Sequence, residues 1–122
     1  MRYEFYNPNP VGRSVGDCSV RAVAKALDLD WEQAYVLLAS NGFAMGDMPA
    51  AESVWGATLR QHGFRKEICS DCEDIATLVE WHPSKGIYVF GCSGHVVTVI
   101  DGVLYDTWDS RKEIPQFYWY KR

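Results

Sequence analysis

Three residues of types that together perform nucleophilic catalysis occur far apart in the chain: Cys18, His95 and Asp106. A thiol attacks as the thiolate, and a neighbouring imidazole can take the thiol proton and stabilise the resulting charge. A carboxylate bonded to the second imidazole nitrogen would fix the tautomer and the orientation of the ring. These types predict Cys18 as nucleophile, His95 as base and Asp106 as the group that orients the base, if the fold brings them together.

The first element that must position this chemistry is a helix beginning at Cys18. Asp17 is a residue type that caps helices, and an apolar stripe at helical spacing follows it, formed by Ala22, Val23 and Ala26. A helix N-terminus lowers the pKa of a thiol, which suits a nucleophile. Free cysteine is also among the most buried residue types, so a small core residue is the alternative interpretation of Cys18.

The second element is a hairpin late in the chain. Asp101–Gly102 is typical of a two-residue turn, and it separates the runs HVVTVI and VLYDTW. Counting outward from the turn puts Val97 opposite Asp106 and His95 opposite Trp108, and directly opposed or diagonal residues share a face. We therefore expect His95, Asp106 and Trp108 on one side of the hairpin, with Trp108 covering the other two.

The order of these residues resembles that of papain-like cysteine peptidases, where the cysteine opens a central helix and the histidine begins a strand. Their third residue stands in an Asn-x-Trp sequence, which DTW resembles with Asp106 and Trp108. DCSVRA is similar to the Asp-Cys-x-x-x-Ala segment of bacteriocin-leader-processing peptidases and to the Cys-x-x-Arg-Ala segment of ovarian-tumour-type deubiquitinases. The chain as a whole resembles small phage and bacterial proteins that carry GDC..RA, GHVV and YDTWDS.

This resemblance implies a single papain-like α+β domain over residues 1–122, with the Cys18 helix packed on a C-terminal antiparallel sheet. It implies thiol-dependent cleavage of a peptide or isopeptide bond in a protein or peptide substrate, without a cofactor, although the same thiol could transfer an acyl group. The family usually places a glutamine six positions before the cysteine as an oxyanion donor, and position 12 is glycine. Asn9, Asn7 or Ser14 of the preceding loop could replace it beside the Cys18 backbone N–H; of these we expect Asn9, with Asp17 and Trp108 in support.

Local patterns predict the remaining elements. RYEFY, FRKEI, GIYVFG and FYWY are strand candidates, the last at a sheet edge. A second helix begins at Asp30, whose capping box includes Gln33, and NGF ends it near Ser40. A third helix runs from Pro49 to about Gly63. A fourth, short helix begins at Ser70 or Asp71, and Pro83 ends it. Helices that precede an antiparallel sheet indicate an α+β domain.

Composition excludes several classes of protein. The 122 residues are 48% hydrophobic and 14% aromatic and carry a formal net charge of −4, without a basic stripe, so duplex nucleic acid is not an expected partner. Apolar runs do not approach the roughly 20 residues of a membrane span, and the N-terminus lacks the apolar core of a signal peptide. We therefore expect a cytoplasmic location with reduced thiols. The resemblance to phage and bacterial proteins implies that the cell is bacterial or phage-infected.

Two alternatives compete with the peptidase hypothesis. Cys69-x-x-Cys72 and Cys92-x-x-His95 have the spacing of a four-ligand zinc site, which would claim His95. A catalytically silent module could instead use an aromatic surface to bind another protein. Arg21 also has two interpretations, as a solvated helix residue or as a buried anchor for the loop before Cys18.

Overall fold

The structure is a computed structural model that describes residues 1–69, 73–81 and 85–122. These residues fold into helices and one β-sheet. The α+β class is as predicted. No helix in these three ranges is long and apolar enough to cross a bilayer. The elements in chain order are β1 (Arg2–Phe5), α1 (Cys18–Ala26), α2 (Trp31–Met45), α3 (Glu52–Gln61), β2 (Arg65–Ile68), α4 (Ile75–Trp81), β3 (Ile87–Cys92), β4 (His95–Ile100), β5 (Val103–Asp106) and β6 (Pro115–Lys121).

The sheet corrects two expectations about strand order. The six strands of the described residues are arranged β1-β5-β4-β3-β6-β2. The sheet is not wholly antiparallel or wholly C-terminal, because β1 pairs parallel with β5 and β2 adds to the other end. The FYWY strand is not at an edge, since β2 covers the free side of β6. Short β1 and β2 thereby take up backbone groups that the C-terminal strands would otherwise leave unpaired.

The hairpin that carries the candidate site has the predicted register. Ile100 pairs with Val103 across the turn, and the ladder continues from there to Thr98 and Tyr105. Asp101 and Gly102 have φ angles of 49° and 80°, the left-handed pair that a tight hairpin turn requires. A second hairpin joins β3 to β4, and its last pair includes His95, which therefore stands at the start of its strand.

Helices cover both faces of the sheet. Alternate residues of β3 contribute to different cores, because successive side chains of a strand point to opposite faces. Val89 packs with α1, α2 and α3, whereas Phe90 packs with α4. Thr98 of β4 donates a hydrogen bond of 2.8 Å to the carbonyl oxygen of Ala22, which fastens α1 to the hairpin strand.

The local sequence signals predicted the end of α2 and the start of α3 incorrectly. The Asp30–Gln33 capping box is present, but α2 continues through NGF to Met45 and ends at Gly46, which has a φ of 71°. Position 42 within the helix requires glycine, because the Cβ of any other residue would lie only 2.8 Å from a backbone oxygen of the returning chain. Helix α3 begins at Glu52, three residues after Pro49. Packing between α2 and α3 thus overrides the local stop and start signals.

Helix α4 begins later than the sequence suggested. The Asp74 carboxylate accepts a hydrogen bond of 2.8 Å from the backbone N–H of Thr77, which caps the helix that starts at Ile75. The predicted capping residues Ser70 and Asp71, and the predicted terminator Pro83, lie outside the described residues.

Candidate active site

Cys18 is the first residue of α1 and is half-buried. A hydrogen bond with the His95 imidazole is the largest influence on its pKa, which lies below the ordinary 9.0 of a thiol. Burial opposes this effect, but a hydrogen bond from the Val96 backbone N–H and the positive charges of His95 and Arg21 support it. The surroundings of the sulfur therefore favour the thiolate.

His95 joins the thiol to a carboxylate. Its Nε2 atom lies 2.7 Å from Oδ2 of Asp106, and its side chain is 11% exposed. Burial would lower the pKa of the imidazole, but the hydrogen bonds to Asp106 and Cys18 and the charges of both groups raise it to about 9. The ring is therefore an imidazolium at neutral pH, next to a thiol that favours its anionic form.

Asp106 is a buried carboxylate, 1% exposed, that accepts four hydrogen bonds. His95 (2.7 Å) and Ser110 (2.6 Å) donate to Oδ2, whereas Arg21 (3.0 Å) and the Thr107 backbone N–H (2.8 Å) donate to Oδ1. Burial would raise the pKa of this carboxyl, but the hydrogen bonds from His95 and Ser110 and the charge of His95 hold it below 3.8. Asp106 is thus an anion whose two oxygens have distinct partners.

Trp108 lies against His95, as the hairpin register predicted. The two ring centroids are 5.0 Å apart, with an angle of 43° between the ring planes. The indole is 45% exposed, so the ring that contacts the imidazole also contacts solvent.

Asp17 precedes α1 at the capping position, but its side chain does not cap the helix in the described structure. Its carboxylate instead accepts hydrogen bonds from Arg21 (2.5 Å) and from Nε1 of Trp31 (2.9 Å). The expected cap is therefore wrong, because a buried guanidinium one turn into the helix competes for the carboxylate. Arg21 is 6% exposed, which favours the anchor interpretation over the solvated one.

Asn9 is not brought to the site in the described part of the chain. Its side-chain oxygen accepts hydrogen bonds from the backbone N–H groups of Val11 (3.0 Å) and Arg13 (3.2 Å). The side chain thus organises its own loop, and Asn9 does not border the cleft in which Cys18 lies. Its assignment as an oxyanion donor fails because asparagine readily bonds the backbone of the turn that contains it.

The cleft beside the thiol has a volume of about 330 Å³, and Cys18 and His95 both border it. Glycine and alanine form much of the remaining wall, and Trp55 and Phe117 supply stacked aromatic rings with centroids 5.8 Å apart. A second, largely apolar cavity of about 360 Å³ adjoins it, since both are bordered by Gly16, Ser19 and Ala50. The candidate nucleophile therefore faces an open groove.

Sequence reasoning did not assign site roles to Arg21 and Ser110. Arg21 stands four residues after Asp17, a spacing that predicts an ion pair on one helix face. Its contact with Asp106, 85 residues away, has no local signal. Ser110 stands in YDTWDS, the motif quoted for the resemblance, but only the turn after β5 brings its hydroxyl to Asp106.

Cys92 borders the same cleft, but its surroundings oppose ionisation. Burial, followed by the negative groups Glu113, Cys69 and Asp106, raises its pKa to about 12. Among the described residues, no cluster of three or more His, Cys, Asp or Glu side chains could hold a metal ion. Cys72, the remaining ligand of the predicted zinc site, lies outside the described residues.

Comparison of the chain with protein-family models, with curated proteins and with solved structures finds no match.

Proposed function

We propose that the protein is a thiol-dependent hydrolase with a papain-like arrangement, which cleaves a peptide or isopeptide bond. Cys18 is the nucleophile, His95 the base and Asp106 the group that orients His95. The observation that carries this proposal is that Cys18, at a helix N-terminus, borders one open cleft with His95, whose ring is bonded to the buried Asp106 at 2.7 Å. The lowered pKa of the thiol agrees with this arrangement. A core cysteine would not need an imidazolium partner held by a buried carboxylate.

The reaction follows from the charges of the three groups. The Cys18 thiolate attacks the substrate carbonyl carbon and forms a tetrahedral oxyanion. The His95 imidazolium then donates its proton to the leaving amine, and the C–N bond breaks to give a thioester on Cys18. Water, deprotonated by His95, attacks the thioester and restores the thiolate and the imidazolium. An amine in place of water would give acyl transfer at the same site.

Stabilisation of the oxyanion falls to the start of α1. As the first residue of the helix, Cys18 has a backbone N–H outside the intrahelical hydrogen-bond pattern, and the helix dipole favours negative charge there. Gln116 borders the cleft with an exposed side chain. Its carboxamide is a better candidate than that of Asn9 for a second donor.

The groove supports an extended peptide as the substrate. Small residues around the thiol leave room for a peptide backbone to approach Cys18. The adjoining apolar cavity, which includes Trp31, Tyr35 and Met48, is suited to an apolar side chain of that peptide. A cytoplasmic, reducing setting would keep the thiol available.

An activated peptide ester tests the proposal, because acylation of the thiol increases the mass of the protein by the mass of one acyl group. We expect intact-mass spectrometry to detect one acyl group on Cys18, released by water as free acid or by an added amine as amide. Cys18→Ala should abolish the adduct, and Cys92→Ala, a change of the same kind in the same cleft, should retain it. Absence of an adduct, or an equal adduct in Cys18→Ala, would favour the non-enzymatic interaction module instead.

A further inference from the structure

A buried series of charges extends from Asp106 away from the cleft. Nη2 of Arg21 lies 3.0 Å from Oδ1 of Asp106, and Nη1 of Arg21 lies 2.5 Å from Oδ1 of Asp17. Nε1 of Trp31 donates to the other oxygen of Asp17 at 2.9 Å. Arg21 and Asp17 are each 6% exposed, so this network is part of the interior. The proposed reaction uses none of its three outer members.

The charges alternate from Asp17 through Arg21 and Asp106 to His95, and each anion lies next to a cation. Charges buried in this way are costly unless each is paired and hydrogen-bonded. The planar guanidinium can serve two carboxylates at once because its N–H groups point in fixed, separate directions. A lysine ammonium would preserve the charge but not this geometry.

The pairing also distinguishes the two oxygens of Asp106. Oδ1 is occupied by Arg21 and by the Thr107 backbone N–H, so Oδ2 is left for His95 and Ser110. Arg21 is in turn held through Asp17 to the starts of α1 and α2. The orientation of the carboxylate that holds His95 is therefore tied to two helices at the other end of the network.

We propose that Arg21 is a positioning residue for the Cys18–His95 site: by bridging Asp17 and Asp106 it fixes the Asp106 carboxylate, and through it the plane of the His95 ring. The inference rests on the proposed function, because the ring plane matters only where His95 activates Cys18. Arg21 acts through Asp106 and does not touch the reacting atoms.

Other polar groups face Asp106 from the neighbouring strands and enter the interpretation of any pH profile. From β1, the Tyr3 hydroxyl donates to the Asp106 backbone oxygen at 3.2 Å. From β3, the Cys92 thiol lies near enough for the Asp106 charge to raise its pKa. Of the groups considered, Arg21 and His95 supply the cationic contacts to the carboxylate.

Arg21→Lys tests the inference without removing the charge. We expect alkylation of Cys18 by iodoacetamide at neutral pH to slow by about 10- to 100-fold, because small misplacements of a catalytic group have effects of that size. The proton on Nε2 of His95, observed by NMR as a far-downfield signal of the bond to Asp106, should shift or disappear. Lys25→Met is the matched control: it changes a cation on the same helix that lies over the Tyr105 ring, and should alter neither reading.

A second variant covers the case in which Arg21→Lys does not fold. Asp17→Asn keeps the shape of the side chain and the Arg21–Asp106 pair but weakens the anchor of Arg21. We expect it to slow alkylation less than Arg21→Lys and to shift the His95 proton signal in the same direction. Folded Arg21→Lys or folded Asp17→Asn protein with wild-type alkylation and a wild-type His95 signal would overturn the inference.

These readings need no peptide, so the inference and the proposed function can fail separately. If the peptide ester does not acylate Cys18 but Arg21→Lys still slows alkylation and displaces the His95 signal, the proposed function fails and the positioning role stands. If the ester is hydrolysed by Arg21→Lys as fast as by wild type, with the His95 signal unchanged, the positioning role fails and the proposed function stands.

Discussion

Two cysteines border the same cleft and differ in nearly everything that controls reactivity. Cys18 opens α1 and Cys92 ends β3, and both are half-buried. The pKa of Cys18 is lowered, first by its hydrogen bond to His95, whereas burial and negative neighbours raise the pKa of Cys92 to about 12. Residue type and exposure class are alike, so the hydrogen bond from His95, which Cys92 does not share among the causes of its pKa shift, makes the main difference, and the sign of the nearby charges adds to it.

The contrast also shows how one carboxylate can act in opposite directions on two thiols. The charge of Asp106 raises the pKa of Cys92 directly. The same charge stabilises the imidazolium of His95, which lowers the pKa of Cys18. An intervening cation thus converts an unfavourable anion into support for the thiolate.

Replacement of each cysteine should give the largest difference. Cys18→Ala removes the proposed nucleophile and should reduce hydrolysis of the peptide ester by roughly 10⁴-fold or more, the scale seen when a catalytic nucleophile is deleted. Cys92→Ala removes a thiol that stays protonated and should leave the rate unchanged. Initial rates of both variants check this. A loss in Cys92→Ala as large as that in Cys18→Ala, with the fold intact by circular dichroism, would contradict the contrast.

Removal of the imidazolium should make the two thiols resemble each other. In His95→Gln, Cys18 loses its main stabilising contact, so its pKa should rise and hydrolysis should fall by about 10²- to 10⁴-fold. His62→Gln is the matched control, since His62 directly follows α3 and bonds the Thr58 backbone at 2.8 Å, outside the cleft. Peptide-ester rates measure the effect, and equal losses in the two variants would show that His95 has no special role.

The two thiols should also be alkylated over different ranges of pH. Alkylation of Cys18 should rise at a pH below 9.0, because its folded pKa is lowered. Hydrolysis of a peptide amide should fall as the pH rises through about 9, where His95 loses the proton that the proposed reaction delivers to the leaving amine. Cys92 should label only toward pH 12 while the protein is folded. Peptide mapping after iodoacetamide treatment measures the labelling of both cysteines in one sample. Labelling of Cys92 at a lower pH than Cys18 would contradict the predicted order of their pKa values.

The proximity of His95, Asp106 and Trp108 was predictable because it depends on one tight turn. Asp101–Gly102 sets the hairpin register, and the contacts between His95 and both other residues follow from counting along two strands. The start of α1 at Cys18 was equally local, since an apolar stripe marks it. These signals lie within a few residues of the elements that they predict.

Features that depend on distant packing were not predictable. The Arg21–Asp106 contact joins positions 85 residues apart, and the end of α2 depends on how α3 packs against it. The position of β6 inside the sheet requires β2, whose four residues carry no signal for the strand that they join. Asn9 failed for the opposite reason, because its local hydrogen bonds prevail over the long-range role expected of it.

Ser110→Ala should reduce the difference between the pKa values of the Cys18 and Cys92 thiols while leaving His95 in place. The buried hydroxyl donates to Asp106 at 2.6 Å, so its loss should raise the carboxyl pKa and destabilise the fold by about 1–3 kcal/mol. The lowered pKa of Asp106 contributes stability above pH 3.8 that is lost on acidification. The variant should therefore unfold at a higher pH than wild type.

Urea unfolding at several pH values, with the unfolding free energy extrapolated to water, measures the Ser110 effect. Ser53→Ala is the control, because the exposed Ser53 hydroxyl also donates to a carboxylate, that of Asp47, at 2.5 Å. If Ser110→Ala lost no more stability than Ser53→Ala, the Asp106 carboxylate would not depend on its buried donors.

The smallest effect should come from Trp108→Ala, which tests whether solvent exclusion sharpens the contrast. The indole lies 5.0 Å from His95, and its removal lets water screen the attraction between the imidazolium and its anionic partners. Alkylation of Cys18 should slow by a few fold, and the apparent pKa from its pH profile should rise. Trp81→Ala removes another exposed indole, from α4, and should change neither quantity. An unchanged profile in Trp108→Ala would mean that solvent near His95 matters little, and the difference between Cys18 and Cys92 would then rest on the hydrogen bond between Cys18 and His95 and on the buried carboxylate that holds His95.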